Sequence, residues 1–241
     1  MSRRRTLLRG AAVAALLVLA VAFVGLGIWQ VERRAWKHEL IATVEARIHR
    51  PPIDAPGPPA WPQVSAQHDG YAHVRIAGRY LPGRDTLVRA VSDLGAGYWV
   101  MSPLDTGRFT VLVNRGFVPQ GVKPAAVSTA PTTVTGLLRI SEPRGGFLRA
   151  NVPAQDHWYS RDVAVIAAVR GLRNVAPYFV DAAATPGEGG YPVGGLTVVR
   201  FNDNHLVYAL TWFAMAALSI FGLWWLVTRS APRATLSVMM R

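Results

Sequence analysis

His205 and Trp212 are the pair of side chains in this sequence whose types and spacing suggest chemistry. Seven residues is nearly two helical turns, so on a helix the two share a face, about 10 Å apart along the axis. His205 stands at the mouth of a run, 206–228, that carries no charge. An ionisable group at the edge of such a segment is a functional candidate by default. A neutral imidazole there is also one way to hold haem iron. Tyr208, Trp212 and Met215 would give it an apolar face able to cover a flat macrocycle. Two structural readings stand beside this one. His205 could cap the helix start with Asn202 or Asn204, and the same face could pack on a second helix, where Gly25 and Gly27 permit close approach.

Other chemistry is poorly supported. The chain has no cysteine, which rules out disulfides, thiolate metal sites and cysteine nucleophiles within it. No G-x-S-x-G elbow, H-E-x-x-H motif or nucleotide-binding glycine fingerprint occurs. Asp156-His157 is an acid-base pair by adjacency alone, and sequence neighbours usually point apart. His38, His49, His68 and His73 have no second ligand at metal spacing. Arg115, before a glycine turn, suits a carboxylate or propionate but more often holds a corner through backbone carbonyls. The expectation is a protein without catalytic residues.

The elements that must present His205 follow from charge and hydropathy. The chain is 51% hydrophobic and 17% charged, which points to a membrane protein. Its net charge of +12 could suggest nucleic acid. However, residues 1–9 hold four arginines and 229–241 three, with no acid in either, so seven of the twelve charges lie on short tails. That is the positive-inside pattern, and no nucleic-acid partner is expected. Residues 10–31 form a second charge-free run. Ala20-Val21-Ala22 resembles a signal-peptidase site, but the run continues to Val31, a length that fits a membrane span better. The expected division is a cytoplasmic tail (1–9), a first span (10–31), an extracytoplasmic domain (32–204), a second span (205–228) and a cytoplasmic tail (229–241). In a Gram-negative cell this places a two-span protein in the inner membrane, with both termini cytoplasmic and the middle domain periplasmic.

Between the spans, Trp29, Trp36, Leu40, Ile41, Val44 and Ile48 form a helical stripe. One helix is therefore predicted from the membrane to about Arg50, ended by Pro51-Pro52. The six prolines of 51–62 predict an extended connector. Strands are predicted at 71–80, 86–91, 98–104, 109–114, 132–140, 147–151, 177–182 and 195–201, and a helix at 161–171 with Ser160 as N-cap. Residues 185–195, with five glycines and two prolines, predict a loop. The fold class is thus a membrane protein with two transmembrane α-helices flanking a β-rich domain (α+β, a small antiparallel sheet or barrel).

Four motifs taken together resemble a known family. They are Gly27-Ile28-Trp29-Gln30 continuing to Arg34-Ala35-Trp36-Lys37, then Val111-Leu112-Val113-Asn114-Arg115-Gly116-Phe117-Val118-Pro119, then Pro177-Tyr178-Phe179-Val180-Asp181-Ala182, and Asn202-Asp203-Asn204-His205-Leu206-Val207-Tyr208-Ala209-Leu210-Thr211-Trp212-Phe213. In order, spacing and two-span plan they resemble the Surfeit locus protein 1 family, the Shy-type cytochrome c oxidase assembly factors. Phe117 stands where that family often has tryptophan. The resemblance implies an assembly role on the haem-bearing subunit of a terminal oxidase. It also implies binding of haem a, with His205 as axial ligand and Trp212 against the macrocycle. A cofactor-free scaffold that stabilises an assembly intermediate is the other reading it leaves open. The client oxidase type and the oligomeric state do not follow from it.

Overall fold

In lipid, a charge-free backbone satisfies its own hydrogen bonds by coiling on itself. The first such run belongs to α1 (Ser2–Ile48), unbroken over 47 residues. At 1.5 Å per residue it is about 70 Å long, more than twice the thickness of a bilayer core. It stops just short of Pro51-Pro52, as their geometry requires. The second run forms α3 (His205–Thr228), and both helices are long and apolar enough to cross a membrane. The computed structural model describes residues 2–143, 145–146, 149–184, 190–196 and 203–228. They form two compact units: α1 up to Ile41 with α3, and a second unit that starts at Ala42 and holds all the strands.

In the helix unit the two helices run antiparallel. Arg34 meets Asp203, Gln30 meets His205, Phe23 meets Trp212, and Leu16 lies against Gly222. The less exposed positions of α3 include 205, 209, 212, 216, 219, 223 and 226, with Gly222 beside them, and those of α1 include 13, 16, 20, 23, 27, 30 and 34. Alternating steps of three and four are the seam of a left-handed helix pair. Small residues supply its buried positions, Ala20, Ala209, Ala216 and Ser219, as close packing in lipid favours. At Gly27 the approach is close, because a Cβ there would overlap the ring of Phe213. Gly25 meets nothing within 4 Å, so only one of the two predicted contact glycines serves that purpose.

The second unit contains β1 (Ile53–Asp54), β2 (His73–Tyr80), β3 (Thr86–Ser92), β4 (Gly95–Asp105), β5 (Thr110–Pro119), β6 (Thr132–Ile140), α2 (Val163–Val169) and β7 (Val175–Ala182). The sheet order is β1-β2-β6-β7-β5-β4-β3, and a further pairing, Arg79↔Asp105 and Tyr80↔Leu104, joins β2 to β4. The five strands β2-β6-β7-β5-β4 therefore close into a barrel. Its pairs are antiparallel except β5 with β7.

Alternation along the strands builds two cores. Val111 and Val113 on β5, with Tyr178 and Val180 on β7, join Val74, Ile76 and Leu104 in one cluster. Leu112 and Phe179, of opposite parity, join Val88, Met101 and Trp158 under Val163 and Ile166 of α2. Each fully buried large side chain contributes about 1.5–3 kcal/mol.

The structure departs from the sequence expectations at three places. The proline-rich connector is not uniformly extended. Ile53 and Asp54 pair in parallel with β2, and Pro58–Gln63 forms a 3-10 helix whose Trp61 sets its edge against Phe109. Ser160 is not the cap of α2; Asp162 is, accepting from the Val165 N–H at 3.3 Å. Ser160 Oγ instead accepts from the Gly145 N–H and the Asn151 amide, which tie down the preceding loop. The segment predicted as a strand at 147–151 shows only isolated bridges, at Gly146↔Arg149 and Val152↔His157, and residues 147–148 lie outside the described set. Most of the strand predicted at 195–201, and part of the 185–195 loop, also lie outside it.

Candidate functional site

Gln30, Arg34 and His38 recur every four residues on α1, which puts them in one row facing the start of α3. Asp203 gathers two of them. Its Oδ2 accepts from His38 Nε2 at 2.6 Å and from Arg34 Nε at 3.2 Å. Its Oδ1 accepts the backbone N–H of His205 at 3.1 Å, closing an Asx-type turn that starts α3. The His38 hydrogen bond, followed by those from the His205 backbone and Arg34, holds the Asp203 carboxyl down to about 2. The helix start is thus capped by Asp203. Of the asparagines considered for that task, Asn204 accepts the Tyr208 N–H with its carbonyl at 3.2 Å, and Asn202 lies outside the described residues.

The His205 side chain does not take part in the cap. Its Nδ1 lies 2.7 Å from Gln30 Oε1, and among the described residues Nε2 has no hydrogen-bond partner. Trp212 does share its face, further along the seam. It stacks on Phe23 with ring centroids 5.6 Å apart at 25°. Tyr208 and Met215 lie to one side of the seam, 55% and 40% exposed, so an apolar flank is open beside the two sequence-predicted residues. Gln30, Arg34, His38 and Asp203 are members of this site that sequence reasoning does not assign. The signal is present in the four-residue spacing on α1, but nothing local says which helix end that row meets.

The remaining candidates are structural. Arg115 donates to the carbonyl of Ala125 at 2.7 Å, the corner-holding role. Gly116 beside it has φ +131, and a Cβ there would strike the backbone of Val193 and Gly194. Asp156 accepts from Trp158 Nε1 at 2.7 Å and from Arg170 Nη2, so it is not paired with His157. His73 meets the carbonyl of Arg50 at 2.8 Å. The charged cluster of the strand unit is self-contained. Buried Asp181 accepts from Asn114, Arg139 and Arg161, and Arg161 also forks onto Glu142. Burial opposes the charge on Arg161, but Glu142 and Asp181 outweigh it and raise its pKa. No group of three metal-ligating side chains occurs among the described residues.

The residues fit a haem held by one histidine. Nδ1 of His205 is engaged by Gln30, so its Nε2 is the nitrogen left for a metal; Tyr208, Trp212 and Met215 follow three, seven and ten residues along α3, which carries no acid. Comparison with known proteins gives the arrangement a context. The SURF1 family model matches residues 17–217, which takes in the barrel and most of both helices. The chain belongs to the SURF1 family. It is 35% identical to a SURF1-like protein of Monosiga brevicollis, over 86% of this chain and 84% of that one. It is 34% identical to Surfeit locus protein 1 of Mus musculus (87% and 72% covered) and 31% identical to that of Homo sapiens (87% and 75%). In a SURF1 chain, then, the match contains the polar mouth of the helix pair as well as the barrel.

Proposed function

We propose that this protein is a non-catalytic assembly factor for cytochrome c oxidase that binds haem a and assists its insertion into the haem-bearing subunit. The observation that carries the reading is His205, at the mouth of α3, with Nδ1 engaged by Gln30 and Nε2 without a partner among the described residues. Haem, when bound, supplies an iron for that nitrogen and a flat apolar surface for Trp212, Tyr208 and Met215. A single histidine is a weak ligand set, which suits a cofactor that must be handed on. The arginines of the tails support a two-span placement in the inner membrane, both termini cytoplasmic and the barrel periplasmic. There the barrel is the surface that docks the oxidase subunit.

The test is purification from cells that make haem a, comparing the protein with His205→Ala. The expected outcome is a large loss of Soret absorbance per polypeptide in the variant; equal absorbance removes the ligand role. One observation favours a second reading, a cofactor-free scaffold. Both His205 and Trp212 lie on the seam and contact α1. That reading expects co-purification with oxidase subunits when haem a synthesis is blocked, and no haem on the isolated protein.

A further inference from the structure

Gln30 is a polar amide at the end of a charge-free run, a costly position unless it is hydrogen-bonded. Its oxygen lies 2.7 Å from His205 Nδ1. An amide oxygen can only accept, so in this contact Nδ1 carries the proton. A neutral imidazole has one N–H, so Nε2 keeps its lone pair. The other polar side chains facing this end of α3 are occupied elsewhere: Arg34 and His38 bond Asp203 Oδ2, and Asp203 Oδ1 takes the backbone N–H of His205. Gln30 is therefore the group that bears on which ring nitrogen carries the proton.

We infer that Gln30 is the positioning residue of His205, locking its imidazole in the Nδ1–H tautomer and in one ring orientation so that Nε2 alone faces a ligand. The inference deepens the haem reading and rests on it for its functional meaning. Acceptors on the distal nitrogen orient metal-ligating histidines in this manner, and their loss weakens metal affinity about 10- to 100-fold. Gln30 does not touch the haem itself in this arrangement. It acts through the ring.

The test is read first without haem. Histidine-labelled protein in lipid, held at a pH where the ring is neutral, is examined by nitrogen-15 NMR. His205 is assigned by the signal lost in His205→Ala. Free histidine in water favours the Nε2–H form, so the Nδ1–H form expected here is diagnostic. Gln30→Glu, which keeps an acceptor, preserves it, and Gln30→Leu shifts the ring towards Nε2–H. A wild-type ring that is mainly Nε2–H, or a Leu variant identical to wild type, overturns the inference. The second readout is haem a titration. The Leu variant is expected to bind at least about tenfold more weakly, with Glu restoring affinity and lowering the reduction potential of the bound haem. Equal affinity in the Leu variant and wild type also overturns it. Equal haem on wild type and His205→Ala removes the haem reading instead, and leaves the tautomer result standing.

Discussion

The barrel and the helix pair treat polar groups in opposite ways. In the barrel unit, the buried charged cluster is closed on itself: Asp181, 3% exposed, is met by Asn114, Arg139 and Arg161, and Glu142 completes it, while Asp85 Oδ1 and Ser102 Oγ are buried without a partner among the described residues. Its apolar side chains are buried in two clusters. The helix pair is the reverse. Many of its apolar side chains face outward, with Val18, Leu218 and Val227 between 57% and 70% exposed, and Gln30, Arg34, His38, Asp203 and His205 form a hydrogen-bonded cluster at one end. There one nitrogen, His205 Nε2, is without a partner among the described residues. A packed polar cluster favours pairing of its members, whereas on the haem reading proposed above the helix end needs a group left open for a ligand.

The sharpest way to break the contrast is Asp181→Ala. Removing the shared carboxylate leaves Arg139 and Arg161 poorly compensated, and barrel stability is expected to fall by about 3–5 kcal/mol. Denaturant unfolding of the full chain in detergent, followed by near-ultraviolet circular dichroism, measures it. Ile166→Ala opens a cavity between α2 and the barrel, with an expected loss of about 2–5 kcal/mol in the same assay.

Gly27→Leu addresses the other side of the comparison. It should force the Phe213 ring away and cost about 1–3 kcal/mol of helix pairing while leaving barrel unfolding unchanged. Because the chain has no native cysteine, a Leu16→Cys/Gly222→Cys pair reports the seam by cross-linking, and the yield should drop in the Gly27 variant.

Tyr178 gives the smallest effect and the pH dependence. Burial raises its phenol well above the usual value of 10, and its hydroxyl donates to the Pro56 carbonyl at 2.6 Å. A raised folded-state pKa means stability that is complete below about pH 10 and lost as pH rises above it. Tyr178→Phe should cost about 1 kcal/mol at neutral pH and flatten the alkaline decline. Unfolding curves at pH 7 and above pH 10 distinguish the two effects.

Legibility from sequence follows the range of the interaction. Alternation places β2, β3 and β6 nearly to the residue, because the pleat is a local rule. The strand in the proline-rich segment is not readable in this way. Ile53 has no alternation to display in two residues, and it is a strand only because β2 lies beside it. The α2 cap lies two residues beyond its expected place because Ser160 and Asp162 are both good caps, and the choice depends on Asn151 and Gly145 engaging the serine. His205 and Trp212 are legible as neighbours on one face, but Gln30, 175 residues away, is not legible as the partner of His205.

The sequence by itself determined the two apolar helices, the approximate places of most strands and the shared face of His205 and Trp212, since hydropathy and periodicity act over a few residues. Only the tertiary structure decided that β2 meets β4 to close the barrel, that α1 and α3 pair antiparallel, and that Gln30 reaches His205. Those contacts join residues distant in the chain, and their register is selected by packing: the Gly27–Phe213 approach and the Asp203 cluster fix one helix against the other.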